Sequence, residues 1–147
     1  MSASAAGFEG ARKIKGRILL VEDDPLSLKL MKDALEAFGH EVSRAASGPE
    51  GLSAARAWLP DVIVVDIGLP GMDGVKVTQA LKSDPAVGRV PVVAVTAYAM
   101  PADEDRMRSA GCNVFLTKPL RLLEFVKTVE SLLARPRVDS AWRVVTD

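Results

Sequence analysis

The sequence predicts a three-layer α/β/α domain around a doubly wound, five-stranded parallel sheet. Three observations carry that expectation. Short aliphatic runs alternate with helical stretches five times along the chain. Two of the runs are almost wholly aliphatic, as strands buried on both faces are. The stretches between them carry helix-start and helix-stop signals, and a right-handed crossover then lays each helix back on a face of the sheet.

The strand candidates are RILLV (17–21), EVSRA (41–45), VIVVD (62–66), VVAVT (92–96) and VFLT (114–117). EVSRA is the more polar and reads as an edge strand. After Asp24, an N-cap with Pro25 at the first helical position, Leu28, Met31, Leu35 and Phe38 define one amphipathic face, and Gly39 supplies the stop. SGPE (47–50) has capping-box form and opens a second helix that ends before Pro60. GVKVTQALKS (74–83) gives a short third, and the fourth starts near Pro101 and stops at Gly111. The fifth places Leu122, Val126, Val129 and Leu133 along one face.

The 147 residues are 48% hydrophobic and 26% charged, enough for one compact domain with a core. Nineteen basic residues balance nineteen acidic ones, so no overall field draws the chain to nucleic acid or an anionic membrane. The lone Cys112 cannot form an internal disulfide, and no run reaches the ~18 apolar residues of a membrane span. Residues 1–16 read as a flexible leader without a secretory core, which places the protein in the cytoplasm. Residues 17–134 form the domain and 135–147 a polar tail, in which Trp142 receives no assignment. His40 reads as a solvated turn residue, Cys112 as a small half-buried hydrophobe, and 102–108 (ADEDRMR) as a solvated charged face.

In open parallel sheets, ligands bind beyond the carboxyl ends of the strands. At those ends stand Glu22-Asp23-Asp24, Asp66, Thr96 and Lys118-Pro119. Acids gathered in a partly shielded cleft either hold a proton or recruit a cation. Oxygen-only donors favour a hard ion, Mg2+ with Mn2+ as the alternative. Asp23 and Asp66 are the preferred ligands, with Glu22 acting directly or through water, while Asp24 caps the helix. Within the loop DIGLPGMDG (66–74), the backbone carbonyl of Gly68 is a further candidate donor. These groups suit phosphoryl transfer: Asp66 as the nucleophile that forms an acyl phosphate, Lys118 neutralising phosphoryl oxygens, and the Thr96 hydroxyl donating to the installed group.

The acidic pair after a hydrophobic strand, DIGLPGMDG around Asp66, VTAYA with Thr96 and LTKPL with Lys118 stand in one order along the chain. On these motifs the sequence resembles the receiver domain of two-component response regulators, over roughly residues 17–134. The resemblance implies a flavodoxin-like fold with strand order 2-1-3-4-5. It implies Asp66 as phosphoacceptor, Glu22 and Asp23 as the acidic pair, Thr96 as switch hydroxyl, Phe115 as switch aromatic and a cis Lys118–Pro119 bond. The implied donor is a histidine kinase or histidine phosphotransfer protein. The implied output is a downstream protein partner on the helix 4/strand 5/helix 5 face, without direct nucleic acid binding or membrane association.

Such a protein is a signalling switch that catalyses only its own aspartyl phosphorylation and dephosphorylation. Its expected state is a monomer, with dimerisation on phosphorylation left open. No output domain is expected in the chain; the alternative is a receiver excised from a larger regulator or hybrid kinase. A haloacid-dehalogenase-type phosphohydrolase also uses an aspartyl nucleophile and Mg2+, but Gly68 stands where its second acid is needed. Three acids at the mouth disfavour an FMN carrier, and the complete acid, threonine and lysine set disfavours a scaffold that works without phosphorylation.

Overall fold

The computed structural model describes residues 15–68, 73–97, 101–134 and 143–145. Trp142 and most of the expected leader therefore lie outside the described residues. In chain order the elements are β1 (Arg17–Val21), α1 (Pro25–Ala37), β2 (Glu41–Ala45), α2 (Gly48–Trp58), β3 (Val62–Asp66), α3 (Gly74–Ser83), β4 (Val92–Thr96), α4 (Pro101–Ala110), β5 (Val114–Thr117), α5 (Leu122–Leu133) and β6 (Arg143–Val145). Every strand pair is parallel, and the sheet order is β2-β1-β3-β4-β5-β6. The expected five-stranded order is present, with β2 at one edge. A short sixth strand from the segment read as a polar tail pairs with β5 at the other.

Alternation along the strands divides their side chains between two layers. Ile18, Leu20, Val62, Val64, Val93, Val95, Val114 and Leu116 pack against Met31 and Leu35 of α1 and Phe125, Val126, Val129 and Leu132 of α5. Leu19, Val21, Ile63, Val65, Ala94 and Phe115 face Ala55 of α2, Val77 and Leu81 of α3, and Met107 of α4. Both faces are covered, so the central strands read as continuous aliphatic runs rather than alternating ones.

The helix ends follow their capping chemistry. Asp24 accepts from the Ser27 N–H at 2.8 Å, Asp73 from the Lys76 N–H at 3.0 Å, and Ser47 from the Glu50 N–H at 3.3 Å. Glu50 reaches back to the Ala46 N–H at 2.6 Å, a variant of the capping box. Gly39 (φ 91°) and Gly111 (φ 104°) take the left-handed conformation that ends α1 and α4.

Four expectations need correction. Phe38 caps the C-terminus of α1 and is 49% exposed, so the buried stripe of that helix is Met31 and Leu35. On α5 the buried stripe is Phe125, Val126, Val129 and Leu132, leaving Leu122 and Leu133 at its partly buried ends. His40 is not solvated: its side chain is buried, Nδ1 accepts from the Gly16 N–H at 3.1 Å and Nε2 lies 2.7 Å from Glu130 Oε2. The chain turns at Gly39 straight into β2, which carries the ring beneath the end of α1 and against α5. A neutral imidazole with its proton on Nε2 satisfies both contacts. Cys112 is buried rather than half-buried, and burial pushes its thiol up to about 12, so it is chemically quiet.

Gly74 opens α3 tight against the end of β3. Its N–H donates to Ile67 O at 2.9 Å, and a Cβ there would lie 2.6 Å from Ile67 Cα and 2.9 Å from Asp66 O. Both neighbours are backbone and cannot swing aside. Gly74→Ala is expected to cost about 1–3 kcal/mol, the usual range for overpacking. Urea unfolding checks this: the midpoint drops at unchanged slope if the contact is as tight as described, and an unshifted midpoint contradicts it.

Candidate functional site

Three parallel strands end at one cleft. Beyond β1, the Glu22 N–H donates to Ala45 O at 3.0 Å, which extends the strand pairing and holds Glu22 at 1% exposure. Asp23, the next residue, is exposed. Asp66 closes β3, and the following Ile67 N–H donates to Val95 O at 3.0 Å. Lys118 leaves β5 with its N–H on Thr96 O at 2.8 Å and is followed by the cis bond to Pro119 that the resemblance implied.

These backbone constraints bring carboxylate oxygens of Glu22, Asp23 and Asp66 within 4.8 Å of one another. Lys118 Nζ lies 3.0 Å from Glu22 Oε1, 3.6 Å from Asp66 Oδ2 and 3.4 Å from Ser27 Oγ. Glu22 Oε2 accepts from the Asp24 N–H at 3.1 Å, so Asp24 both caps α1 and fixes its neighbour's carboxyl. Gly68 is exposed beside Asp66, its N–H on Asp66 Oδ1 at 3.2 Å.

Three acids face one ammonium group. Burial, then the hydrogen bond and charge of Asp66, push the Glu22 carboxyl up to about 7 against the opposing pull of Lys118 and the Asp24 N–H. Burial pulls on Lys118 as well, but its hydrogen bond to Glu22 and the surrounding carboxylates hold the ammonium above its ordinary value. The three carboxylates outnumber the one ammonium, and burial beside Asp66 makes Glu22 the one that holds its proton most readily. Oxygen donors without nitrogen or sulfur, one of them open to solvent, fit a hard divalent ion that keeps water or phosphate oxygens in its shell. Glu22, Asp23 and Asp66 are the residues that would hold it.

Thr96 is buried at the end of β4, and Phe115 is buried in β5. The β4–β5 register pairs Ala94 with Phe115 and Thr96 with Thr117, so Thr96 and Phe115 sit on the same face of adjacent strands, two residues apart. Residues 69–72 of DIGLPGMDG and 98–99 of VTAYA lie outside the described residues.

Two features of the site carried no signal in the linear sequence. Ser27 reaches Lys118 only because α1 packs its first turn over the cleft. Beside it a cavity of about 390 Å3, lined mainly by Leu26, Leu30, Met31, Leu120 and Leu122, extends to Lys118. Leu26 (64% exposed) and Leu30 (44% exposed) fall off the buried stripe of α1, where an apolar residue in a sequence is unremarked.

Comparison with known proteins agrees with this geometry. The sequence profile of the response regulator receiver domain matches residues 18–130. The chain is 44% identical over 116 residues to the polar-differentiation response regulator DivK of Brucella ovis, covering 79% of this chain and 94% of that protein. Among solved structures it is similar to a putative response regulator from Chloroflexus aurantiacus, with TM-score 0.78, 33% identity, and coverage of 82% of this chain and 99% of that one. It is also similar to the receiver domain of the sensor histidine kinase PA1611 from Pseudomonas aeruginosa, which has a magnesium ion coordinated in its active-site cleft. That similarity has TM-score 0.77 and 30% identity, again over 82% of this chain and 99% of the other.

The raised Glu22 carboxyl makes a testable demand on stability. In the folded, metal-free chain Glu22 holds its proton up to about 7, against an ordinary value of 4.5. The folded state therefore binds the extra proton between those values. Its contribution to stability is complete below the lower value and is lost as pH rises through the upper one. Glu22→Gln, uncharged throughout, is expected to flatten this fall in chemical-denaturation free energy measured between about pH 5 and 8. Parallel profiles for the two proteins would contradict the assignment.

Proposed function

Because the chain belongs to the response regulator receiver family, we propose that Asp66 accepts a phosphoryl group from a histidine kinase or histidine phosphotransfer protein, changing how the chain binds a downstream protein. The observation that carries this reading is the cluster itself, with Asp66 gathered to Glu22 and Asp23 and facing Lys118 3.6 Å away. An Asp66 oxygen forms the new O–P bond while the donor's N–P bond breaks, its electron pair staying on the imidazole nitrogen, which takes up a proton. Lys118 is already within reach of Asp66 and turns from Glu22 toward the phosphoryl oxygens. Thr96, at the adjoining strand end, donates its hydroxyl to the same group.

Mg2+, or Mn2+ in its place, held by Glu22, Asp23, Asp66 and the Gly68 carbonyl, supplies charge neutralisation at the phosphoryl oxygens when bound. The ion in the cleft of the similar Pseudomonas aeruginosa receiver supports this assignment. The group is lost when water attacks phosphorus and the Asp66 carboxylate leaves, so the chain catalyses only its own modification and its reversal. Gly68 two residues after Asp66 offers no acid for the turnover of a phosphohydrolase.

The shared face of Thr96 and Phe115 supports the conformational half of the proposal. As Thr96 moves toward the phosphoryl group, the Phe115 ring follows into the vacated space, and the α4–β5–α5 surface changes for its partner. The cavity under Leu26 and Leu30 opens beside Lys118, so a protein donor that brings its phosphohistidine to Asp66 lies over it. Among the described residues no helix is long and apolar enough to cross a membrane. The proposed site of action is the cytoplasm.

Intact mass after incubation with Mg2+ and acetyl phosphate tests the acceptor. A phosphoryl adduct is expected on the native chain, and none on Asp66→Asn or after chelation; equal labelling of Asp66→Asn would overturn the assignment. A second prediction separates the donor surface from the chemistry. Leu26→Asp with Leu30→Asp is expected to slow transfer from a phosphohistidine protein at least about tenfold, the loss of roughly 1.4 kcal/mol of binding. Labelling by acetyl phosphate should be unchanged, and equal slowing with both donors would contradict the docking surface.

A further inference from the structure

We propose that the outer edge of β5 is a strand-accepting site whose occupant is the chain's own Arg143–Val145 segment, which thereby closes the α4–β5–α5 surface to competing partners. The importance of that surface rests on the function proposed above; the strand-accepting edge does not.

A terminal strand presents unpaired N–H and C=O groups along its free edge, and such an edge takes up another extended segment wherever it is accessible. Here β6 occupies it in parallel, pairing Val114 with Arg143, Phe115 with Val144 and Leu116 with Val145. The Asn113 N–H donates to Val92 O at 2.8 Å, on the β4 side. Successive amides along an extended strand point to opposite edges, so those of Val114 and Leu116 face β6. Val144 stands between them as the residue whose own N–H and C=O complete the ladder.

The placement joins this edge to the rest of the molecule. β5 packs on α4 through Phe115 and Met107 and on α5 through Val114, Leu116, Phe125 and Val126, so its edge is the seam between those two helices. Lys118 lies just past its carboxyl end, and Phe115 sits opposite Val144. The occupying segment also lies outside residues 18–130, the span matched by the receiver profile. Three paired residues make a weak ladder on their own. Covalent attachment raises the effective concentration of the segment, which keeps the edge filled yet exchangeable. A partner that pairs with this edge must first displace it.

Hydrogen exchange resolved to single amides tests the proposal on unphosphorylated protein, so its outcome is independent of whether Asp66 is modified. The full chain, a chain ending at Ala134 and the full-length Val144→Pro variant are compared at Val114 and Leu116, with Leu19 and Val64 of the central strands as controls. Exchange at the two β5 amides is expected to be at least about tenfold faster in both altered chains while the controls stay slow. A synthetic peptide of residues 135–147 added to the truncated chain should restore protection. The same peptide should bind the full chain at least about tenfold more weakly, because the tethered segment competes.

If truncation also speeds exchange at Leu19 and Val64, the peptide decides: restored protection at Val114 and Leu116 supports the site, and no restoration overturns it. Equal β5 exchange in the full and truncated chains, or equal peptide binding to both, overturns it too.

Discussion

Lys118 Nζ stands 3.0 Å from Glu22 and 3.6 Å from Asp66, and that pairing constrains every other feature of the cleft. Carboxylates brought this close in a partly buried site repel strongly, because the screening that water gives is reduced there. One tethered ammonium offsets part of that repulsion. Burial first, and then its neighbour Asp66, push the Glu22 carboxyl up to about 7. A site in this condition is poised toward added positive charge, and toward any group that arrives with its own cation. The same arrangement that limits stability therefore suits the cleft to a divalent ion.

The parallel sheet delivers these groups without using side-chain flexibility. β1, β3 and β5 all point the same way, so residues separated by up to 96 positions in sequence meet at one edge. Gly74 lets α3 start against the backbone of Asp66 and Ile67, and the Asp24 N–H holds Glu22 while the Asp24 side chain caps α1. β5 has a further part in this scheme. It bears Phe115, leads directly into Lys118 and carries β6 along its outer edge, so the acidic cleft and the outer edge of the sheet are linked by one four-residue strand.

Much of this was legible in the sequence for a physical reason. VIVVD and VVAVT are buried on both faces, so every position is under the same pressure and the run cannot be mistaken for a solvated strand. The site was legible because acids and a lysine interrupt those runs at the ends where a parallel sheet places its ligands. What could not be read depended on packing between distant elements. His40 follows a glycine stop like many exposed residues, and only the arrival of α5 with Glu130 buries it. Phe38 continues the apolar spacing of α1 but falls at its cap, where the helix no longer controls its direction. Ser27, Leu26 and Leu30 gain meaning only when α1 lies over Lys118. Arg143–Val145 is too short to show any period, and the neighbouring edge of β5 determines its strand conformation.

Lys118 is a tethered cation in an acidic cleft suited to a divalent ion, and both draw on the same Glu22 and Asp66 oxygens. Isothermal titration of Mg2+ into chelator-stripped protein at neutral pH, with the native chain beside Lys118→Met, tests it directly. Removing the competing ammonium is predicted to tighten Mg2+ binding. Unchanged or weaker binding in Lys118→Met would contradict the claim.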